Sequence, residues 1–191
     1  MLSPTYPAAV VAGNVETSQA VTNCLFAALG ALGTAQGTMN NLTWGNKKHQ
    51  YYETLCSGAP AGHGFSGAPG VHTHMTNSRL TDPEILELRF PVVLEDFHIR
   101  LNSGGRGRWR AGDGTSRTLR FLERMDCAIL SGHRLIAPPG MAGGEDGERG
   151  RNTLRRLDGS IETLEGCDQT VLAAGEAITV VTPTGGGFGT R

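Results

Sequence analysis

The sequence predicts an α+β fold: an N-terminal amphipathic helix followed by a glycine-rich, largely antiparallel β region. Three observations lead there. Val21, Cys24, Leu25, Ala28, Leu29 and Leu32 recur at helical spacing. From Pro91 onward, short apolar runs alternate with glycine turns, which is the rhythm of antiparallel strands. Glycine is the compositional outlier, at 28 of 191 residues, and without a three-residue period it excludes collagen. It implies many backbone positions at positive φ, or close backbone approach to something else. The length suits one domain with a real core, residues 1–191.

Each element has its own local reason. The apolar run at residues 6–12 is expected as a buried strand or an extended arm. Asn14 offers a helix cap, and Glu16 falls in the first turn, where the helix dipole favours a carboxylate. The helix is expected over residues 15–32, with Gly33 as its stop. Ala20, Ala27, Ala28 and Ala31 would let another element pack closely. Residues 36–45 read as a polar turn and residues 50–55 as a short strand. Residues 58–70, with five glycines and two prolines, read as a loop free to move. Pro83 suits the first turn of a short helix capped by Thr81 or Asp82 and finished by residues 86–90. Strand-like runs follow at 92–94, 97–101, 118–121, 127–130, 171–173 and 177–181. The glycine turns at 104–107, 112–114, 143–147 and 185–189 are long for one compact domain, which suggests that they cover something.

Composition narrows the function classes. A net charge of −1 gives no electrostatic case for nucleic acid or an anionic membrane. The basic residues are nearly all arginine, whose planar fork pairs bidentately with carboxylates. Cys24, Cys56, Cys127 and Cys167 show no CxxC spacing and are expected as reduced core filler in a cytoplasmic protein. No charged leader precedes an apolar stretch, and the longest apolar runs fall far below the ~20 residues of a membrane helix.

Chemistry-bearing side chains concentrate in residues 72–85, His-Thr-His-Met-Thr-Asn-Ser-Arg-Leu-Thr-Asp-Pro-Glu-Ile. On a strand, His72 and His74 share a face and reach one divalent metal or one substrate; the alternative is that each satisfies a backbone group. A cupin pattern fails, because Ser78 and Arg79 stand where a glutamate is needed. Arg79 suits a substrate carboxylate, or a salt bridge to Asp82 or Glu84. Asp82 reads as a helix cap, and Asn77 as a polar neighbour of the site. Glu53 is a candidate acid or base in apolar surroundings, or an arginine-paired carboxylate. Cys56 lies near His63, His72 and His74 in sequence, which is weak support for a thiol nucleophile. Arg110 breaks a GxGxxG pattern, and neither GxxxxGK[ST] nor GxSxG occurs.

Read together, these motifs carry a resemblance. Gly13-Asn14-Val15-Glu16-Thr17-Ser18-Gln19, then Gln36-Gly37-Thr38-Met39-Asn40-Asn41-Leu42, then Tyr51-Tyr52-Glu53-Thr54 resemble the hydantoinase B / 5-oxoprolinase family. So do residues 71–77 with Asp82-Pro83-Glu84, Ser103-Gly104-Gly105, Gly112-Asp113-Gly114, and Thr182-Pro183 running into Gly185-Gly186-Gly187. Two features depart from the family pattern: Thr184 replaces a glycine, and residues 57–64 lack a glycine pair.

The resemblance implies the C-terminal part of a B subunit or B region. It implies ATP-dependent opening of a hydantoin or 5-oxo-L-proline ring, with a divalent metal (Mg, Mn or Zn). ATP would be bound mainly by a hydantoinase A-type subunit or region, and further site residues would come from the missing N-terminal half of B. On that footing His72, His74 and Glu53 are the catalytic candidates, and Asn77, Arg79 and Asn41 the substrate-binding ones. His72 and His74 are also the candidate metal ligands. The alternative is a non-catalytic assembly module that completes the site of a larger hydrolase or ketone carboxylase.

Overall fold

The computed structural model describes residues 5–7 and 15–191. Apart from Tyr6 and Pro7, the run expected at 6–12 and the Asn14 cap lie outside those residues. The elements in order are α1 (Thr17–Ala28), β1 (Asn41–Gly45), β2 (Gln50–Thr54), β3 (Ser57–Gly58), β4 (Pro69–Val71) and α2 (Pro83–Arg89). Then come β5 (Val92–Ile99), β6 (Thr115–Phe121), β7 (Met125–Leu130), β8 (Arg151–Arg155), β9 (Ile161–Leu164), β10 (Cys167–Leu172) and β11 (Ala177–Val181). The α+β expectation holds, and every strand pair is antiparallel.

Two sheets enclose the core. One has four strands in the order β10-β7-β1-β2, and the other five in the order β5-β6-β11-β8-β9. Side-chain alternation decides which faces turn inward. Met125, Cys127 and Ile129 of β7 and Leu42 and Trp44 of β1 point in from the first sheet. Leu119 and Phe121 of β6, Leu154 of β8 and Ile178 and Val180 of β11 meet them from the second. Trp44 anchors the layer, edge-on to Phe90 at 5.3 Å and to Phe121 at 5.5 Å between ring centroids.

α2 starts as expected. Asp82 accepts hydrogen bonds from the backbone N–H of Glu84 at 3.0 Å and Ile85 at 3.4 Å, with Pro83 in the first turn. Several expectations need correction. α1 ends at Ala28 rather than residue 32, because Gly30 takes φ +63 and breaks it before Gly33. Its apolar stripe faces outward: Val21, Leu25 and Leu29 are 45, 56 and 69% exposed, and the four alanines pack against nothing. Residues 36–45 are not a polar turn; they run buried into β1 and deliver Leu42 and Trp44 to the core. Of the four cysteines only Cys127 is core filler; Cys24 and Cys167 are exposed and Cys56 half-buried.

The glycine turns also behave differently from the expectation. They pack on one another. Gly186 N–H donates to Thr34 O at 2.9 Å, and Ala61 N–H donates back to Gly186 O at 3.1 Å. Gly105 N–H donates to Gly185 O, Gly187 N–H to Glu145 O, and Gly112 N–H to Ala59 O. A side chain on Gly112 would overlap the carbonyl of Ala68, and one on Gly187 the carbonyl of Arg106. Residues 58–70 join this layer instead of moving freely, with β3 paired to β4. Thr184 fits because it is fully buried and its hydroxyl is used twice, donating to Ser103 O at 2.8 Å and accepting from Glu148 N–H at 2.7 Å.

Candidate functional site

The polar face of α1 is the side that docks on the body of the protein. Glu16, Gln19 and Asn23 stand at i, i+3 and i+7, one stripe of the helix. Gln19 and Asn23 are the buried residues of the helix itself. Polar groups in that position must be paired or they cost free energy, and most are paired with Thr73, Thr76 and Ala35. Gln19 Nε2 donates to Thr76 Oγ1 at 2.7 Å and to Thr73 O at 3.3 Å. Asn23 Nδ2 donates to Ala35 O at 3.4 Å while its Oδ1 accepts from Ala35 N–H at 3.1 Å. Asn23 Oδ1 also lies 2.8 Å from His74 Nε2, and the ring of His74 sits 5.7 Å from that of Phe26.

His72 and His74 are therefore not two rungs of one strand. β4 ends at Val71, and the chain turns at His74, whose φ of +57 is rarely adopted by a residue with a side chain. Both imidazoles are half-buried, and burial pushes both below the ordinary histidine range. Around this turn, buried polar capacity is left unspent: Gln19 Oε1, His72 Nδ1 and Thr73 Oγ1 have no hydrogen-bond partner. Asn77 and Arg79 follow, both exposed, and no ion pair forms from Arg79 to Asp82 or Glu84.

The other candidates sit elsewhere. Glu53 is in the interior, where Arg117 clamps it from the facing sheet through Nε–Oε1 at 2.9 Å and NH2–Oε2 at 3.1 Å. Burial raises the Glu53 carboxyl, with Arg117 opposing. Each side chain is 2% exposed, so the pair is sealed from solvent, and the arginine-paired reading of Glu53 is the one the geometry matches. Asn41 belongs to a third cluster. Its Nδ2 donates to Glu16 Oε1 at 2.7 Å and to Leu130 O at 2.8 Å, and its Oδ1 accepts from the Tyr52 hydroxyl at 2.7 Å. Thr38 Oγ1 and Met39 N–H donate to the same Glu16 oxygen. Nearby, Arg134 bonds Asn40 Oδ1 and Asn152 Oδ1 at 2.8 and 2.7 Å, and burial lowers its guanidinium to about 10.

Burial raises the Glu16 carboxyl despite its three donors. A raised carboxyl pKa means that the folded state holds the proton more tightly than the unfolded chain. Glu16 thus contributes fully below the ordinary value of 4.5, and that contribution is lost as pH rises through the raised value. Glu16→Gln keeps an acceptor oxygen but does not titrate. Urea denaturation should find the variant more favourable, relative to wild type, at pH 7 than at pH 4. An identical difference at both values would remove burial as the dominant influence on Glu16.

Among the described residues, no three His, Cys, Asp or Glu side chains cluster as a metal site would require. His72 and His74 alone do not complete one. Three surface hollows, of about 900, 360 and 480 Å³, open along the four-stranded sheet and its β1–β2 edge, and none is lined by His72, His74 or the glycine turns. No described helix is long and apolar enough to cross a membrane. Sequence reasoning missed Gln19 and Asn23, although their spacing with Glu16 was visible.

Comparison with known proteins adds context to this geometry. The family model described as Hydantoinase B/oxoprolinase matches residues 1–191. A 5-oxoprolinase of Dictyostelium discoideum is 42% identical over 191 residues, covering 100% of this chain and 15% of that protein. The Arabidopsis thaliana protein 5-oxoprolinase 1 is 47% identical over 190 residues, with the same two coverages, 100% and 15%. The chain thus spans about 15% of the length of these relatives. The crystal structure of ATP-dependent caprolactamase from Pseudomonas jessenii superimposes with a TM-score of 0.72 at 24% identity, over 84% of this chain and 30% of that one, a likeness of fold.

Proposed function

This chain belongs to the hydantoinase B/oxoprolinase family, and on that premise we propose that it forms the substrate side of the ring-opening site in an ATP-dependent cyclic amidohydrolase. The observation that carries the reading is the unspent polar capacity of the His72–Arg79 turn. Buried polar atoms without partners, His72 Nδ1 and Thr73 Oγ1, stand in the same segment as the exposed Arg79, whose guanidinium forms no ion pair among the described residues. A small polar ligand would satisfy both.

The relatives named 5-oxoprolinase, at 42 and 47% identity, favour 5-oxo-L-proline over a hydantoin. Its carboxylate suits Arg79, its ring amide suits the imidazoles, and Asn77, exposed in the same segment, would offer a further amide. A lactam resists attack by water. Phosphorylation of its oxygen by ATP, held by a hydantoinase A-type region, would give a better electrophile, with the chain's polar turn orienting the ring. No step is assigned to a metal, because the described residues bring no complete set of ligands. Glu53 is held as a structural ion-pair partner rather than a proton carrier.

The assembly role is part of the same reading. The outward stripe of Val21, Leu25 and Leu29 is the kind of apolar surface that a further segment covers. The N-terminal half of the B region and the A-type region are the occupants the family implies. In the complete enzyme, His74→Ala should lower turnover of 5-oxo-L-proline by ~10²-fold or more. Arg79→Met should raise KM with a smaller effect on kcat. Unchanged kinetics in both variants would remove this turn from the site.

A further inference from the structure

We propose that Asn23 is a positioning residue that holds His74 in the tautomer with its proton on Nε2, leaving the Nδ1 lone pair as the nitrogen that meets the ligand. The argument is one of hydrogen-bond polarity. A backbone N–H only donates and a backbone carbonyl only accepts. Ala35 N–H at 3.1 Å must therefore face the oxygen of the Asn23 amide, and Ala35 O at 3.4 Å its nitrogen. This double contact fixes the amide orientation, which is otherwise ambiguous by a flip. The Asn23 oxygen lies 2.8 Å from His74 Nε2, so that nitrogen has to be the donor.

Nδ1 is then an acceptor. Among the described residues it makes no hydrogen bond, and it is not one of the unpartnered polar atoms sealed from solvent, as Nδ1 of His72 is. The left-handed backbone at His74, φ +57, is the cost of turning the ring toward Asn23. A ligand meeting His74 must therefore offer an N–H or O–H, as the ring amide of a lactam or an attacking water does. This rests on the proposed function only in placing the ligand there; the tautomer stands without it.

The test is the imidazole 15N spectrum of the full chain labelled with [15N]histidine, at neutral pH, with His74 assigned by its loss in His74→Gln. The expected result is a protonated Nε2 and an unprotonated Nδ1. A proton on Nδ1, or a mixture close to that of free histidine, overturns the proposal whatever the kinetics show. Asn23→Asp keeps the accepting oxygen and should keep the Nε2–H; Asn23→Ala should move His74 toward the mixture. If both variants retain the wild-type pattern, Asn23 is not what sets it. A correct tautomer combined with unchanged turnover in His74→Ala would instead leave this inference standing and remove the functional reading.

Discussion

Gly112→Ala should cost about 3 kcal/mol or more, enough to leave little folded protein. The position carries no positive φ, so the effect is not one of backbone strain. A methyl there would overlap the main chain of Ala68 and Pro69, and backbone cannot rotate aside as a side chain does. Gly112 also donates to Ala59 O at 2.9 Å, so parting the two loop segments to make room breaks that hydrogen bond. Gly187 meets Arg106 and Gly105 in the same way. The control is Gly159→Ala, at φ +83 with nothing nearby. It should cost only about 1 kcal/mol, the conformational penalty alone. Urea denaturation of the two variants checks the contrast. Equal costs would mean that the glycine layer yields more easily than its close contacts imply.

The second large effect is expected at the ion pair between the sheets. Arg117 occupies an inward position of β6, in line with Leu119 and Phe121, and reaches Glu53 of β2 across the interior. The guanidinium also lies 5.3 Å from the ring of Phe97. Arg117→Met should cost about 3–5 kcal/mol, because it leaves a carboxyl buried and unpaired. Adding Glu53→Leu should recover much of that loss, since two apolar groups need no partner. Denaturation midpoints for the two single variants and the double variant close the cycle. A double variant as unstable as the sum of the singles would show that the two groups act independently.

Much of the fold was legible from local rules. Pro83 after Asp82 specified the start of α2, and the apolar run at 127–130 marked most of β7. What escaped depended on partners distant in sequence. β8, Arg-Asn-Thr-Leu-Arg, carries too few apolar residues to read as a strand until its place between β11 and β9 is known. Asn40 looked like a turn residue, yet its side chain is consumed by Gln36, Leu55 and Arg134. The glycines did announce close backbone approach; that the approaching surface is other glycine-rich backbone was not readable from one strand of text.

The candidate site was half legible. Residues 72–85 were singled out by composition, and two of the unpartnered buried polar atoms, His72 Nδ1 and Thr73 Oγ1, fall there. Its strand geometry was wrong, since His74 takes φ +57 beyond the end of β4. The role of α1 was inverted because an amphipathic helix is ordinarily assumed to bury its apolar side. Here Gln19 and Asn23 go in, and Leu25 and Leu29 stay out. That inversion is physically consistent only if the buried amides are satisfied, which Thr73, Thr76 and Ala35 accomplish in part.

The most direct measurement is the structure of a complete enzyme containing this chain, with 5-oxo-L-proline and a non-hydrolysable ATP analogue bound. The account predicts the lactam ring against the His72–Arg79 turn, its carboxylate on Arg79 and a polar hydrogen within about 3 Å of His74 Nδ1. A ring bound instead in the hollow beside Tyr52 and Gln169, on the outer face of the four-stranded sheet, would contradict it.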